Sequence, residues 1–162
     1  MKTLVVYYSL QGNTKKVAEI IADELGADLL EIKPIKPYSV MSALTIGKAQ
    51  IKKSAAPEIQ NTNVELNKYH EIIIGTPVWW FTFAPPIRAF IRKHDLSRKP
   101  IKLFCTHAGN KGTALEDLKN FIGDKNIRST KDFYTGQKTF RPIKKDAWST
   151  IEANVRNWVK RK

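Results

Sequence analysis

Residues 3–15 read TLVVYYSLQGNTK, and the fold turns on them. Thr3 to Tyr8 is a near-continuous β-branched and aromatic run, the composition of a strand buried on both faces of a parallel sheet. Ser9, Leu10, Gln11, Gly12, Asn13 and Thr14 break that pattern with hydroxyl, amide and glycine, and a helical period begins at once. Val17, Ile20, Ile21 and Leu25 share one helical face, and Gly26 supplies a C-terminal stop. A strand that runs through a short polar loop into a helix points free backbone N–H groups at one spot, where the helix dipole favours an anion. Ser9, Gln11, Asn13 and Thr14 add side-chain donors, and Gly12 lets the backbone approach closely. The junction reads as a cradle for a phosphate or, more simply, as a capped helix start. It matches neither G-x-G-x-x-G nor the Walker A pattern, so a dinucleotide or a hydrolysed triphosphate is not the first expectation.

Outward from this junction the chain alternates between strand and helix periods. Asp28 to Lys33 is a short strand closed by Pro34, Glu71 to Gly75 a buried one, Ile101 to Cys105 a third and Ile127 to Tyr134 a weaker one. Between them, Pro85 and Pro86 suit the first turn of a helix carrying Ile87, Phe90 and Ile91. Thr113-Ala114-Leu115-Glu116 has capping-box form ahead of Leu118, Phe121 and Ile122. Trp148, Ile151, Val155 and Trp158 stripe a final helix. Residues 34–68 are the least legible: Met41 to Lys53 is a candidate helix weakened by Gly47, and 54–66 reads as loop. Five strands alternating with helices predict an α/β fold, a three-layer α/β/α sandwich with a parallel sheet, as one domain over residues 1–162. Ligands of such sheets lie beyond the carboxyl ends of the strands, which brings loops 9–14, 76–84 and 106–112 together.

The second of these loops is aromatic. Thr76, Pro77, Val78, Trp79 and Trp80 lead into Phe81 and Phe83, and flat side chains at a strand end suit stacking on a planar ring; each singly is also ordinary core. The third, Thr106, His107, Ala108 and Gly109 through Gly112, offers backbone N–H groups to a polar ring edge. A phosphate cradle, an aromatic wall and a polar edge around one point describe a pocket for flavin mononucleotide (FMN).

The stretches YYSLQGNTKKVAE, IIIGTPVWWFTFAPPIRAFI and FCTHAGNKG, in this order and spacing, resemble the flavodoxin-like proteins over nearly the whole chain. The resemblance implies sheet order 2-1-3-4-5, the order for which flavodoxin is itself the standard example. It also implies phosphate contacts from Ser9, Leu10, Gln11, Gly12, Asn13 and Thr14. Thr76, Pro77, Val78, Trp79 and Trp80 would flank the flavin ring, with Trp79 the stacking partner, and Thr106, His107, Ala108 and Gly109 would meet its pyrimidine edge. The flavin would carry the electrons, so no residue is expected as acid, base or nucleophile. Three departures stand out. Gln11 sits where the family usually has threonine, Phe81 where many relatives have glycine, and the chain is basic where electron-carrying flavodoxins are typically acidic. The implied roles are electron transfer or an FMN-dependent oxidoreductase activity of the NAD(P)H:quinone reductase type, with a small-molecule acceptor or an acidic protein as redox partner.

The formal net charge is +13, and residues 141–162 alone hold seven Lys/Arg against two acids. Arg88, Arg92, Lys93, Arg98, Lys99 and Lys102 form a further basic group. Such charge favours anionic partners, or simply keeps a surface soluble. A nucleic-acid-binding domain on the same frame is the alternative function, but the aromatics gather in one loop instead of interleaving with Lys and Arg, so specific nucleic-acid recognition is not expected. Cys105 to Lys111 nearly spells the C-x5-R loop of cysteine phosphatases, yet lysine lacks arginine's planar fork and Cys105 ends a buried strand. One cysteine excludes an internal disulfide. No apolar run approaches the ~20 residues of a membrane span, and no signal-peptide pattern opens the chain, so a cytoplasmic protein without membrane insertion is expected.

Overall fold

A computed structural model describes residues 1–60, 63–137 and 140–161. Two positions of the expected 54–66 loop (61 and 62) and Lys162 of the basic C-terminal stretch lie outside the described residues.

Strand β1, Thr3–Tyr7, is buried at every position, as its apolar run predicts. It pairs in parallel with β2, Asp28–Glu31, on one side and with β3, Glu71–Trp79, on the other. β3 pairs with β4, Ile101–His107, and β4 with β5, Ile127–Tyr134, so these strands stand in the order 2-1-3-4-5. The sheet also has a sixth member beyond the expected five. Thr82–Phe83 folds back antiparallel onto the end of β3, pairing Val78 with Phe83 and Trp79 with Thr82. β3 therefore runs four residues past the expected Gly75, through the aromatic stretch.

Alternate residues of each central strand face opposite ways. Leu4, Val6, Ile72, Ile74 and Leu103 pack beneath α4 (Pro85–Lys93) and α5 (Ala114–Ile122), through Ile87, Phe90 and Leu118. Val5, Tyr7, Ile73 and Phe104 pack beneath α1 (Asn13–Leu25) and α6 (Ala147–Lys160), through Val17, Ile21, Val155 and Trp158. Two helical layers on a two-faced apolar sheet make the α/β/α sandwich. Gly75 is the pinch point: a Cβ there would lie 2.1 Å from the Phe104 ring.

The poorly legible region is helical from 40 to 52. Short α2 (Val40–Ser42), a π-helical turn (Ala43–Gly47) and α3 (Lys48–Lys52) follow one another, with Ser39 and Ser42 forming a reciprocal cap. Gly47 weakens this helix for a packing reason: the Trp79 ring lies 3.1 Å from where a Cβ would stand.

Two further expectations change. The capping box at Thr113 does not form, because its hydroxyl donates to Asp117 Oδ2 at 2.7 Å and its N–H donates to the Phe81 carbonyl at 2.8 Å. Lys102, expected among surface charges, is buried. Its ammonium donates to the carbonyls of Val159 (3.1 Å) and Arg161 (3.0 Å), a cation closing the negative end of α6, with Glu71 3.7 Å away.

Candidate functional site

The C-terminal ends of β1, β3 and β4 meet around a cavity of about 150 Å³. The loop on its β1 side turns at Gly12, whose φ of 94° is a left-handed conformation suited to glycine. The Gly12 N–H donates to Ser9 Oγ at 3.1 Å, folding the loop over itself. The first intrahelical bond of α1 is from Lys16 N–H to the Gly12 carbonyl at 3.0 Å, so the N–H groups of Asn13, Thr14 and Lys15 stand ahead of the helical ladder. The buried hydroxyls of Thr14 and Thr106 share one hydrogen bond at 2.7 Å. Two hydroxyls that share one bond keep one O–H proton for a further acceptor. The cavity lining holds no lysine or arginine among the described residues. An anion here would meet N–H and O–H donors and a helix N-terminus, a donor set that suits a phosphate.

Of the expected positions, Ser9, Leu10, Gln11, Asn13, Thr14, Pro77, Val78, Trp79, Thr106, His107 and Ala108 line this cavity. The other four serve differently. Gly12 shapes the turn, and Thr76 is wholly buried, accepting the Ala84 N–H at 3.0 Å and donating to the Pro77 carbonyl at 2.8 Å. Gly109 donates its N–H to His107 Nδ1 at 3.2 Å, so that N–H is engaged within the loop. Trp80 lines an adjoining groove of about 380 Å³, which shares Leu10, Val78, Trp79, Ala108 and Gln137 with the cradle and continues past Phe81, Phe140 and Arg141.

Trp79 and Trp80 part company at this point. The Trp79 ring is 9% exposed and stands edge-on to Tyr8 (5.5 Å between centroids) and Tyr38 (5.1 Å). Trp80 is 40% exposed, and Lys48 Nζ sits 4.2 Å from its ring centroid. Trp80 and Phe81 are the two central residues of the hairpin, with φ of 49° and 66°. Left-handed φ at both positions is the type I′ geometry that normally selects Asn-Gly, and here two bulky aromatics adopt it. The Phe81 carbonyl is held by the Thr113 N–H, and Gly112 passes so close that a Cβ on it would lie 2.2 Å from that oxygen.

His107 is committed on both nitrogens. Nδ1 accepts from Gly109, so Nε2 carries the proton and donates to Asp132 Oδ2 at 3.0 Å. Lys111 donates to the other carboxylate oxygen at 3.1 Å. Burial works to raise the Asp132 pKa, but the hydrogen bonds from His107 and Lys111 and the Lys111 charge outweigh it and hold the carboxyl below its ordinary range. His107 thus orders the 107–111 loop. Burial, aided by Asp132, pushes the Cys105 thiol up to about 12, so no thiolate nucleophile stands at the start of the phosphatase-like stretch.

A fourth segment, absent from the sequence expectation, completes the cavity: the short strand Gly136–Gln137, paired antiparallel with Arg141–Pro142. Gly136 and Gln137 line the cavity, and Asn13 Nδ2 donates to the Gly136 carbonyl at 3.1 Å. Its signal was the glycine two residues past the end of β5, again at a strand's carboxyl end. Gly136 has φ 64°, and a Cβ on it would lie 2.3 Å from the Arg141 carbonyl.

An α/β/α sandwich of order 2-1-3-4-5 with an anion cradle at the switch between β1 and β3 defines the class of doubly wound nucleotide-phosphate binders. The sequence profile of the flavodoxin family matches residues 2–151, and the chain belongs to that family. Among solved structures, a Lactobacillus acidophilus flavoprotein in complex with FMN is 31% identical, with a TM-score of 0.73 over 81% of this chain and 92% of that one. A Bacteroides eggerthii protein assigned as a flavoprotein is 25% identical, with a TM-score of 0.79 over 98% of this chain and 95% of that one. An uncharacterised Archaeoglobus fulgidus protein is 24% identical over 155 residues, covering 95% of this chain and 96% of its own. No helix among the described residues is long and apolar enough to cross a membrane.

Proposed function

We propose that this protein binds FMN non-covalently and acts as a redox protein through it. The observation that carries this reading is the junction of a cradle made of N–H and O–H donors with an aromatic-walled groove that opens directly from it. FMN, when bound, supplies the capacity to accept and release electrons. The N–H groups ahead of the α1 ladder and the free proton of the Thr14–Thr106 pair hold its phosphate. Val78 and Trp79 wall the ring side, and Trp80 and Phe81 shield it from water. The FMN complex of the Lactobacillus acidophilus relative supports the choice of flavin.

Electrons pass either to a protein partner or to a small acceptor, as in an FMN-dependent oxidoreductase of the NAD(P)H:quinone reductase type. The net charge of +13 favours an acidic partner over a basic one. The deciding experiment titrates flavin-free protein into FMN and follows quenching of flavin fluorescence. Saturable quenching is expected, with NADH or NADPH oxidation by a quinone then separating oxidoreductase from carrier. Protein that leaves FMN fluorescence unchanged at millimolar concentration would overturn the proposal.

A further inference from the structure

Behind the Trp80–Phe81 turn lies a second, open groove of about 610 Å³, lined by one cation, Arg88, and one acid, Asp117, that make no ion pair within 4.0 Å. Arg88 of α4 lies between two rings, its Cζ 4.7 Å from the Phe83 centroid and 4.5 Å from that of Phe121. Lys2, Lys68, Lys102, Lys111, Arg156 and Lys160 each have a carboxylate within 4.0 Å. Arg88 has neither such a partner nor a hydrogen bond among the described residues. The acid lining the groove, Asp117, accepts from the hydroxyls of Thr82 (2.6 Å) and Thr113 (2.7 Å) on one carboxylate oxygen. Further cations stand on the neighbouring helices α3 and α4. Arg92, one turn along α4, donates to the Ser54 carbonyl at 2.7 Å. Ile51 of α3 lines the groove between Lys48 and Lys52, and Lys48 covers Trp80. Trp80 is 40% exposed and Phe81 58%, at the groove's edge.

We propose that this face is the docking surface for an acidic protein partner, one of whose carboxylates closes on Arg88 while Trp80 and Phe81 anchor apolar contact. The guanidinium presents a planar fork that matches a carboxylate bidentately, and its ring sandwich holds that fork in place. Trp and Arg are the residue types that dominate interface energetics, and a basic rim steers an acidic surface toward them. The strained turn fits this role, since its aromatics are displayed at a conformational cost that the hairpin alone does not require. Nucleic acid fits less well: stacking platforms follow one another along a basic track, whereas these two aromatics are neighbours on one tight turn. The inference rests on the flavin reading above, because the same turn walls the flavin groove and brings the partner beside it.

The test uses FMN-loaded protein and a fluorescent polyglutamate of about 20 residues, followed by anisotropy at about 20 and 300 mM NaCl. Saturable, salt-weakened binding is expected, reduced about tenfold or more by Arg88→Gln and about threefold by Arg88→Lys, with Lys125→Gln in the 3₁₀ turn after α5 as the unaffected control. In unmodified protein, polyglutamate is expected to shift the Trp80 indole N–H resonance, a readout independent of any variant's folding. Equal losses in Arg88→Gln and Lys125→Gln, or an unmoved Trp80 signal, overturn the docking surface. Oligo-dT that displaces polyglutamate and depends on Arg88 overturns it in favour of nucleic acid. A dimer that Arg88→Gln dissolves overturns it in favour of self-association. Parallel FMN titrations separate the two readings. FMN binding without Arg88-dependent polyglutamate binding removes the docking surface alone, and the converse removes the flavin reading while supporting the surface.

Discussion

The hydroxyls of Thr14 and Thr106, 92 residues apart in the chain, meet at 2.7 Å beneath the cradle. One belongs to the first turn of α1 and the other to the end of β4, so their bond ties the phosphate loop to the strand beside the ring groove. Thr14→Val keeps the shape but leaves the Thr106 hydroxyl alone in a buried site. A stability loss of about 1–3 kcal/mol in urea denaturation is expected. FMN affinity should fall roughly tenfold by fluorescence quenching, with Thr14→Ser close to the parent. Unchanged affinity in Thr14→Val would remove the hydroxyl pair from the phosphate site.

Trp79 is both a cavity wall and a core residue, with Tyr8 and Tyr38 against its edges and Gly47 beneath it. Trp79→Ala is therefore expected to cost about 3–5 kcal/mol in folding stability. Any loss of FMN binding must be measured on Trp79→Phe, which retains more of the packing. That variant should weaken FMN and shift the flavin midpoint potential; identical affinity and potential would restrict Trp79 to the core.

Phe81 holds φ 66° while largely exposed, so its side chain offsets little of the strain. A bulky residue in this region costs about 1–2 kcal/mol, and glycine loses about 0.5–1 kcal/mol more backbone entropy on folding. Phe81→Gly is thus expected to gain up to about 1 kcal/mol in urea denaturation. A clear loss of stability would show that the phenyl ring contributes packing that its exposure conceals.

Asp132 titrates with a sign that can be worked out. Its folded pKa lies below the ordinary 3.8, so its contribution is complete above that value and disappears as pH falls through the lower, folded value. Denaturation midpoints of the parent should therefore begin to drop as pH falls below about 4. In Asp132→Asn that part of the drop should be missing, with lower stability at neutral pH because the amide leaves His107 and Lys111 one uncharged acceptor oxygen in place of two. Parallel acid limbs for the two proteins would place the pH dependence elsewhere, for example at Glu24 or Asp28, whose carboxyls are also held low by paired cations.

Much of the frame could be read from local pattern. Thr3–Tyr7 and Ile72–Ile74 are apolar on both faces, and Ile151, Val155 and Trp158 recur at helical spacing, because burial imposes those periods directly. The poorly read segment 40–52 lacked such a period. Leu44 and Ile46 remain exposed there, and the helix contains a glycine placed for the Trp79 ring. The capping box misled for a related reason: the Thr113 hydroxyl chose an Asp117 carboxylate already engaged by Thr82.

The sequence by itself determined the alternation of strand and helix, the polar junction at 9–14 and the excess of positive charge. These depend on residue type and spacing within a few turns of chain. Only the tertiary structure decided which charges are spent. It buried Lys102 under α6, left Arg88 between two rings, bent Trp80 and Phe81 into a turn their side chains disfavour, and brought Gly136 to Asn13. Each of these outcomes hangs on a partner distant in sequence, and no local period records such a pairing.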